Sequence, residues 1–122
     1  MDADLTIERT EANGCPILQM AGEVDAYTCE QFREAVLKSL DGNVDNVILV
    51  MHDVDYIDST GLGALVAGLK RAADRNARIT LVCSNPRVRR VFEITGLEKV
   101  FPMYRSVQDA LASVDKRLAA AV

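Results

Sequence analysis

The chain has 122 residues, of which 49% are hydrophobic and 26% charged, an ordinary balance for one globular domain. Its net charge of −4 makes it a poor candidate for binding nucleic acid or anionic membranes, and no apolar run approaches the length of about 20 residues that a membrane span needs. Residues 1–12 are acidic and lack the apolar core of a signal peptide, so a cytoplasmic location is expected.

The chain begins with a predicted β-hairpin. Residues 5–8 alternate apolar and polar side chains, which is typical of a half-exposed edge strand. Asn13-Gly14 is a strong hairpin signal, and a second strand is predicted at residues 16–21. A start with two consecutive strands distinguishes this chain from receiver domains and nucleotide-binding Rossmann units of similar size.

A first helix is predicted after the turn Gly22-Glu23-Val24-Asp25. Thr28 is the expected N-cap, with Gln31 at the spacing of a capping box. Gly42 suits the left-handed conformation that commonly ends a helix. The apolar face of this helix consists of Phe32, Val36 and Leu40.

The central part of the chain joins a buried strand to an amphipathic helix. Residues 47–51 form an unbroken apolar run, as in a strand buried on both faces of a sheet. From Thr60 to about Asp74 the period becomes helical, with an apolar stripe of Leu62, Leu65, Val66 and Leu69. Between strand and helix the pattern places three carboxylates, those of Asp53, Asp55 and Asp58. Open α/β folds place their chemistry at such a junction.

The remaining elements complete an alternating α/β pattern. A strand is predicted at residues 79–83, and Asn85-Pro86 then opens a third helix that stops at Gly96. A short last strand is predicted at Val100-Phe101, and Ser106 opens a terminal helix. The inward side chains of these two helices are Val88, Val91, Phe92, Leu111, Val114 and Leu118. The order predicts a mostly parallel mixed sheet of about five strands with four to five helices.

The stretch Asp58-Ser59-Thr60-Gly61-Leu62-Gly63 resembles the D-S-[ST]-G-L-G motif of bacterial anti-sigma factor antagonists, single-domain proteins of the STAS fold. Gly22-Glu23-Val24-Asp25 is similar to the G-E-[hydrophobic]-D turn of that family, and residues 94–97 and 100–101 are similar to its late segment. The resemblance covers roughly residues 5–111. It implies a single STAS domain over residues 1–122, with a core at about residues 5–118.

The resemblance also implies a function. In that family the serine at the position of Ser59 is phosphorylated by a partner kinase that is also the anti-sigma factor. The unphosphorylated chain would bind this kinase and free a sigma factor, phosphate would switch the binding off, and a phosphatase would reset the cycle. The chain would then be a substrate and not an enzyme, with ATP bound by the kinase. The implied partner-binding residues are Asp25, Asp58, Ser59, Thr60, Gly61, Leu62 and Gly63.

The residues themselves leave two interpretations of Ser59 open. A serine at or beside a helix N-terminus often serves only as a cap that contributes about 1 kcal/mol, although Asp58 or Thr60 could cap as well. Alternatively, a phosphate on Ser59 would gain from the helix dipole and free N–H groups, while its charge of about −1.5 to −2 would oppose Asp55 and Asp58. These opposing effects suit a switch that acts at an interface. The resemblance favours Ser59 over Thr60 as the acceptor.

The small residues of the motif helix also allow two interpretations. They could let a partner approach the serine closely, or they could permit tight packing of the helix on the sheet. Glycine costs roughly 1 kcal/mol of helix propensity relative to alanine, so either reason must offset that cost. The residues in question are Gly61, Gly63, Ala64, Ala67 and Gly68.

Other functions are less compatible with the residues. Asp53-Val54-Asp55 superficially fits D-x-D phosphotransferases, but the chain is short for their substrate cap and Ile57 replaces the hydroxyl expected two residues later. The same Ile57 occupies a ligand position of a calcium loop. A STAS scaffold or ligand-sensing module without a switch at Ser59 remains the alternative to the antagonist.

No cofactor or metal is expected. The chain has three cysteines (Cys15, Cys29 and Cys83) without a C-x-x-C pair and one histidine, His52, whereas zinc sites require clustered Cys and His. Buried, reduced thiols are therefore the expectation for the cysteines.

Overall fold

The computed structural model describes the backbone of residues 4–121 and the side chains of residues 4–115. The elements in chain order are β1 (Thr6–Ala12), β2 (Cys15–Val24), α1 (Cys29–Ser39), β3 (Asn46–Ile57), α2 (Ser59–Asp74), β4 (Arg78–Val82), α3 (Pro86–Thr95), a short 3₁₀ helix (Leu97–Lys99), β5 (Met103–Tyr104) and α4 (Val107–Ala121). The strands form a five-stranded sheet in the order β1-β2-β3-β4-β5. Only β1 runs antiparallel to its neighbour within this sheet, which confirms the predicted mostly parallel sheet with one mixed edge.

The sheet is covered differently on its two faces. Along β3, Val47, Leu49 and Met51 face α1, α2 and α3 and belong to the larger core cluster. Ile48 and Val50 point the other way and pack against α4. The continuous apolar run of β3 is explained by this arrangement, because successive side chains of a strand point to opposite faces and both faces are covered here.

The β1–β2 hairpin has the predicted turn but is longer than predicted. Asn13 and Gly14 have φ angles of 54° and 76°, and two left-handed residues in succession are typical of a type I′ hairpin turn. The strands extend to the residues on either side of this turn, Ala12 and Cys15. Residues 8–11 are all polar and exposed, so they lack the alternation of apolar and polar side chains from which a strand is predicted. The continuation of the edge strand through them could therefore not be predicted.

The start of α1 is where the sequence predicts it, but the capping box is wrong. Thr28 is the N-cap residue without a side-chain cap bond. Its hydroxyl instead donates to the carbonyl of Glu23 at 2.8 Å and accepts from the N–H of Asp25 at 3.0 Å. The side chain of Gln31 donates to the carbonyl of Leu5 at 2.9 Å. These hydrogen bonds hold the neighbouring loop and strand segments against α1. They also satisfy backbone N–H and carbonyl groups of those segments, which need hydrogen-bond partners when they are not paired in a helix or sheet.

The ends of three helices match their sequence signals. Gly42 follows α1 with a φ of 84°, and Gly96 ends α3 with a φ of 77°. The side chain of Asn85 caps α3, and the hydroxyl of Ser106 accepts from the N–H of Asp109 in the first turn of α4 at 3.1 Å. The predicted inward position of Leu118 lies outside the described side chains.

The predicted last strand at Val100-Phe101 is wrong by a few residues. Val100 follows the 3₁₀ helix and is 50% exposed, while Phe101 is buried and contacts Phe92 edge to face, with ring centroids 6.5 Å apart. The strand β5 begins only at Met103. The apolar pair is therefore not a strand, because one of its members, Phe101, anchors a loop in the core.

The buried stripe of α2 differs from the predicted one. Of the predicted stripe only Leu65 is fully buried, while Leu62 and Leu69 pack against the core from its margin. The buried side of α2 consists of Gly61, Ala64, Leu65, Gly68 and Ala72. The helix is thus turned so that small residues face the sheet, which lets its backbone lie close to the neighbouring elements.

Two of the three glycines of α2 are needed for this close packing. A Cβ atom on Gly61 would lie 2.7 Å from Val24 Cγ1 and 3.0 Å from the Val24 carbonyl oxygen, and one on Gly68 would lie 2.7 Å from Val36 Cγ1. A Cβ on Gly63 would meet nothing within 4 Å. Tight packing therefore explains Gly61 and Gly68, and only Gly63 leaves open space on the outer surface.

We expect Gly61→Ala to lower the free energy of unfolding by about 1–3 kcal/mol, because the added methyl group overpacks the contact with β2. Gly63→Ala is the matched control in the same helix. It should raise the free energy of unfolding by up to about 1 kcal/mol, since alanine is the better helix former and the space is open. Urea denaturation of the three proteins gives these differences. Equal stability of the two variants would contradict the packing argument.

Candidate functional site

The candidate site lies at the carboxyl-terminal edge of β2 and β3, and β3 extends further toward it than predicted. Asp53 and Asp55 lie within β3, so the prediction that they occupy the loop before α2 is wrong. The reason is β2, which continues beside β3 and pairs Ala21 with Asp53 and Val24 with Ile57. Asp53 and Asp55 are exposed on this strand.

The register of β2 and β3 brings together the two turns that carry the resemblance. Val24 and Ile57 are paired, so the next residues, Asp25 and Asp58, begin their turns side by side. The N–H of Asp58 donates to the carbonyl of Val24 at 3.1 Å and joins the turns directly. The predicted proximity of Asp25 to Asp58 is therefore confirmed in the backbone.

The carboxylate of Asp25 is used within its own turn. Its Oδ1 accepts hydrogen bonds from the N–H of Tyr27 at 2.9 Å and the N–H of Thr28 at 3.1 Å, and it lies 3.2 Å from the hydroxyl oxygen of Thr28. Aspartate stabilises turns in this way because its side chain reaches the amides two and three residues on. Asp25 thus fixes the loop that leads into α1.

The carboxylate of Asp58 organises the start of α2 in a similar way. Asp58 is the N-cap, in an extended conformation. Its Oδ1 accepts from the N–H of Thr60 at 3.0 Å, the N–H of Gly61 at 3.1 Å and the hydroxyl of Thr60 at 2.5 Å. Since two amides that would otherwise lack a helical partner are satisfied, Asp58 anchors the first turn of the helix.

These bonds lower the pKa of the Asp58 carboxyl group below its usual value of 3.8. The hydroxyl of Thr60 is the main cause and the N–H of Gly61 the next, and partial burial works in the opposite direction. Hydrogen bonds donated to a carboxylate favour its charged form. The site therefore holds a fixed negative charge at neutral pH.

Ser59 is the first residue of α2, and it is not the cap. Its side chain is exposed and makes no hydrogen bond with the other described residues. The interpretation of Ser59 as a simple cap is thus wrong, because Asp58 fills that role. The N–H groups of Thr60 and Gly61 are occupied by Asp58, so the helix start offers a phosphate fewer free donors than expected.

The rest of the motif divides between core and surface. Gly61 is buried, Leu62 is partly buried against the core, and Gly63 is exposed. Sequence reasoning missed the exposed aromatic residues at this edge: Tyr27 is 96% exposed and Tyr56, just before the motif, is 50% exposed. An apolar pattern cannot reveal the exposure of Tyr27, because a residue in a turn belongs to no periodic stripe.

The residues considered for other chemistry have separate surroundings. The ring Nδ1 of His52 lies 2.9 Å from the hydroxyl of Ser84. Cys15 and Cys83 are buried, as expected, and Cys29 is only partly buried at the start of α1. Within residues 4–115, no group of three or more His, Cys, Asp or Glu side chains is arranged to hold a metal ion.

None of the described helices combines the length and the apolar character required to cross a membrane.

Comparisons with known proteins agree with this architecture. The profile of the STAS domain family matches residues 6–110. The chain is 35% identical over 102 residues to the anti-sigma-B factor antagonist of Listeria monocytogenes, which covers 82% of this chain and 87% of that protein. It is 25% identical over 113 residues to the anti-sigma F factor antagonist of Paenibacillus polymyxa, over 92% and 97% of the two chains.

A solved structure gives the same result. An anti-sigma factor antagonist from Mycobacterium paratuberculosis superposes with a TM-score of 0.83 at 25% identity, over 91% of this chain and 94% of that one. The names of the three proteins all describe antagonists of anti-sigma factors.

The lowered pKa of Asp58 makes an acid-dependent contribution to stability. A carboxylate that binds protons less readily when folded stabilises the protein above its unfolded pKa, and this contribution is lost as the pH falls through the folded pKa. We therefore expect part of the loss of stability below about pH 4 to come from Asp58. Thr60→Val should raise the pKa of Asp58 toward 3.8, because the hydroxyl is the main cause of the shift.

Carbon-13 NMR titration of the Asp58 carboxyl group measures this pKa directly. Thr95→Val is the matched control, since it removes a threonine hydroxyl that bonds only within α3. An Asp58 pKa that is equal in wild type and Thr60→Val would show that the hydroxyl bond has no effect.

Proposed function

Since this chain belongs to the STAS domain family of anti-sigma factor antagonists, we propose that its unphosphorylated form binds an anti-sigma factor and thereby frees a sigma factor. Phosphorylation of Ser59 would switch this binding off. The observation that carries the proposal is the Ser59 side chain, exposed and without a hydrogen-bond partner among the described residues, at the junction of two turns fixed by Asp25 and Asp58.

The phosphoryl donor in this proposal is ATP bound by the anti-sigma factor, which acts as a serine kinase. The γ-phosphorus forms a bond to Ser59 Oγ, and its bond to the bridging oxygen breaks. ADP leaves with that electron pair, and the hydroxyl proton passes to a base of the kinase. An acceptor hydroxyl must be free to approach the γ-phosphate, and Ser59 meets this requirement.

A phosphate on Ser59 would make the surface around the site much more negative. It adds about −1.5 to −2 charges beside the carboxylates of Asp25 and Asp58. Each 1.4 kcal/mol of lost binding free energy lowers the affinity about tenfold, so a few kcal/mol of repulsion suffice for a switch. The cap and the strand pairing do not involve the Ser59 hydroxyl, so the fold can remain as it is while the surface charge changes.

The proposal assigns the catalysis to the partners. The kinase binds ATP, a phosphatase removes phosphate from Ser59, and the chain itself is their substrate. The proposed binding surface comprises Asp25 and the exposed parts of residues 58–63, together with Tyr27. Sigma factors act where transcription takes place, so the role places the protein in the cytoplasm.

The alternative is a STAS scaffold or ligand-sensing module without the switch. A groove of about 660 Å³ between α1 and α2 is one place to consider for a ligand. It is open and lined mainly by charged side chains: Arg33, Glu34, Lys38, Asp41, Lys70, Arg71 and Asp74. Small-molecule sites are usually enclosed and mostly apolar, so this groove gives no support to the sensor.

We expect Ser59→Ala to bind the anti-sigma factor whether or not ATP is present, and Ser59→Asp to bind about tenfold or more weakly, because like charges at an interface repel. Ser106→Asp is the matched control. It adds the same charge at the start of α4, on the other face of the sheet, and aspartate retains the cap of that helix. Its affinity should equal that of the wild type.

Isothermal titration calorimetry with the cognate anti-sigma factor, with and without ATP, measures these affinities. Equal affinities of Ser59→Ala and Ser59→Asp would argue against the switch. Wild-type binding that ATP does not change would favour the scaffold.

Tyr27 offers a second test of the same surface. Its side chain is almost fully exposed, while its N–H is fixed by Asp25. Interfaces draw much of their binding energy from such aromatic residues, so Tyr27→Ala should weaken binding about fivefold to thirtyfold. Ile94→Ala is the control, because it also removes an exposed large apolar side chain. Ile94 is 71% exposed and lies near the end of α3, which leads back from the carboxyl ends of the strands and so away from the site. Equal losses in both variants would exclude a specific role for Tyr27.

A further inference from the structure

We propose that the carboxylate of Asp58 selects Ser59 over Thr60 as the single phosphate acceptor by holding the Thr60 hydroxyl in a hydrogen bond. This inference rests on the proposed function of Ser59. It assigns to Asp58 a positioning role beyond capping the helix, by which the hydroxyl of Thr60 would not compete with that of Ser59.

The two hydroxyl groups differ in their hydrogen bonding, although both residues are exposed. The side chains of Ser59 and Thr60 are both exposed. The Thr60 hydroxyl donates to Asp58 Oδ1 at 2.5 Å, whereas the Ser59 hydroxyl has no partner among the described residues. The hydrogen bond to Asp58 is thus the feature by which the two hydroxyl groups differ.

The bond disfavours Thr60 in two ways. First, Thr60 Oγ1 must leave a charge-assisted hydrogen bond before it can give its proton to a kinase base, and bonds to charged groups are the stronger ones. Secondly, the Asp58 carboxylate beside Oγ1 would face the negative oxygens of the incoming phosphoryl group. Both effects raise the barrier for transfer to Thr60, while neither requires any change at Ser59.

The backbone makes the bond persistent. Asp58 Oδ1 also accepts from the N–H groups of Thr60 and Gly61, so the carboxylate is held by three donors. Threonine is branched at Cβ and has few χ1 rotamers in a helix. The rotamer that reaches Asp58 therefore keeps the hydroxyl directed at the cap and away from a partner.

The test measures the ratio of phosphate on Thr60 to phosphate on Ser59 after incubation with ATP in a lysate of the native host. Fragmentation mass spectrometry of the motif peptide separates the two positions. Both residues lie in one molecule, so the ratio does not depend on how well a variant binds the kinase. We expect Asp58→Ala to raise the ratio about tenfold or more over wild type. Asp58→Asn should give a ratio between those of wild type and Asp58→Ala, because the amide oxygen still accepts from the hydroxyl but the charge that opposes the phosphoryl group is lost.

The outcomes separate this inference from the proposed function. A ratio that Asp58→Ala leaves unchanged, with Ser59 phosphorylated in wild type, overturns the selection by Asp58 and leaves the switch intact. Wild-type protein without phosphate at either residue overturns both. If Asp58→Ala takes up no phosphate, Asp58→Gly supplies the ratio, since glycine is well accepted at an N-cap.

A kinase-independent measurement completes the test. Three-bond couplings report the χ1 rotamers of Thr60 in solution. We expect one rotamer in the wild type and averaging among rotamers in Asp58→Ala, because the bond that fixes the hydroxyl is lost. Averaging in the wild type would overturn the inference whatever the phosphorylation pattern.

Discussion

The candidate site depends on the close approach of the first turn of α2 to the ends of β2 and β3. Gly61 makes this approach possible, because any side chain there would meet Val24 and Ile57. At this distance the N–H of Asp58 reaches the carbonyl of Val24, and the Asp58 carboxylate can cap the helix. The exposure of Ser59 is therefore a consequence of core packing: the helix is turned so that its small residues face inward and its first residue faces outward.

A hydroxyl presented in this way differs from one on a mobile loop. Ser59 is the first residue of a helix held to the sheet by Leu65 and Ala72, which are fully buried. A partner would meet the same surface before and after phosphorylation, so the difference between the two states would be mainly one of charge. In the proposed cycle a kinase and a phosphatase would recognise the chain in turn, and a rigid presentation would reduce the entropy cost of each encounter.

Much of this arrangement could be predicted from the sequence, and the errors have a common physical origin. Periodicity and turn residues give the order of the elements, as with Asn13-Gly14 at the hairpin and Asn85 at the start of α3. They fail where tertiary contacts override local pattern. The leucines of α2 suggest a stripe that is rotated from the true one, since glycines carry no hydrophobic signal although they permit the closest contact.

The site residues show the same limit. Their position at a strand–helix junction follows from the sequence, but which oxygen bonds to which hydrogen does not. Thr28 has the spacing of a cap and instead bonds to Glu23 and Asp25. Three side chains of the motif, those of Asp58, Ser59 and Thr60, are candidates for the cap of α2, and only the three-dimensional structure assigns it to Asp58. Local spacing defines the donors and acceptors within reach, whereas the packing of the whole turn decides among them.

Asp58 is subject to opposing demands in the proposed cycle. Its charge stabilises the start of α2 through the two amides and the interaction with the helix dipole. The same charge opposes a phosphate on Ser59, so the phosphorylated state is electrostatically less favourable than it would be at a bare helix start. This repulsion would have a functional consequence in the proposed cycle. The phosphorylated chain would dissociate more readily from the kinase, because the active site of the kinase also holds the negative phosphates of its nucleotide. A neutral cap would stabilise the phosphoserine and weaken the contrast between the two states, so a carboxylate at position 58 favours a switch over a permanent mark.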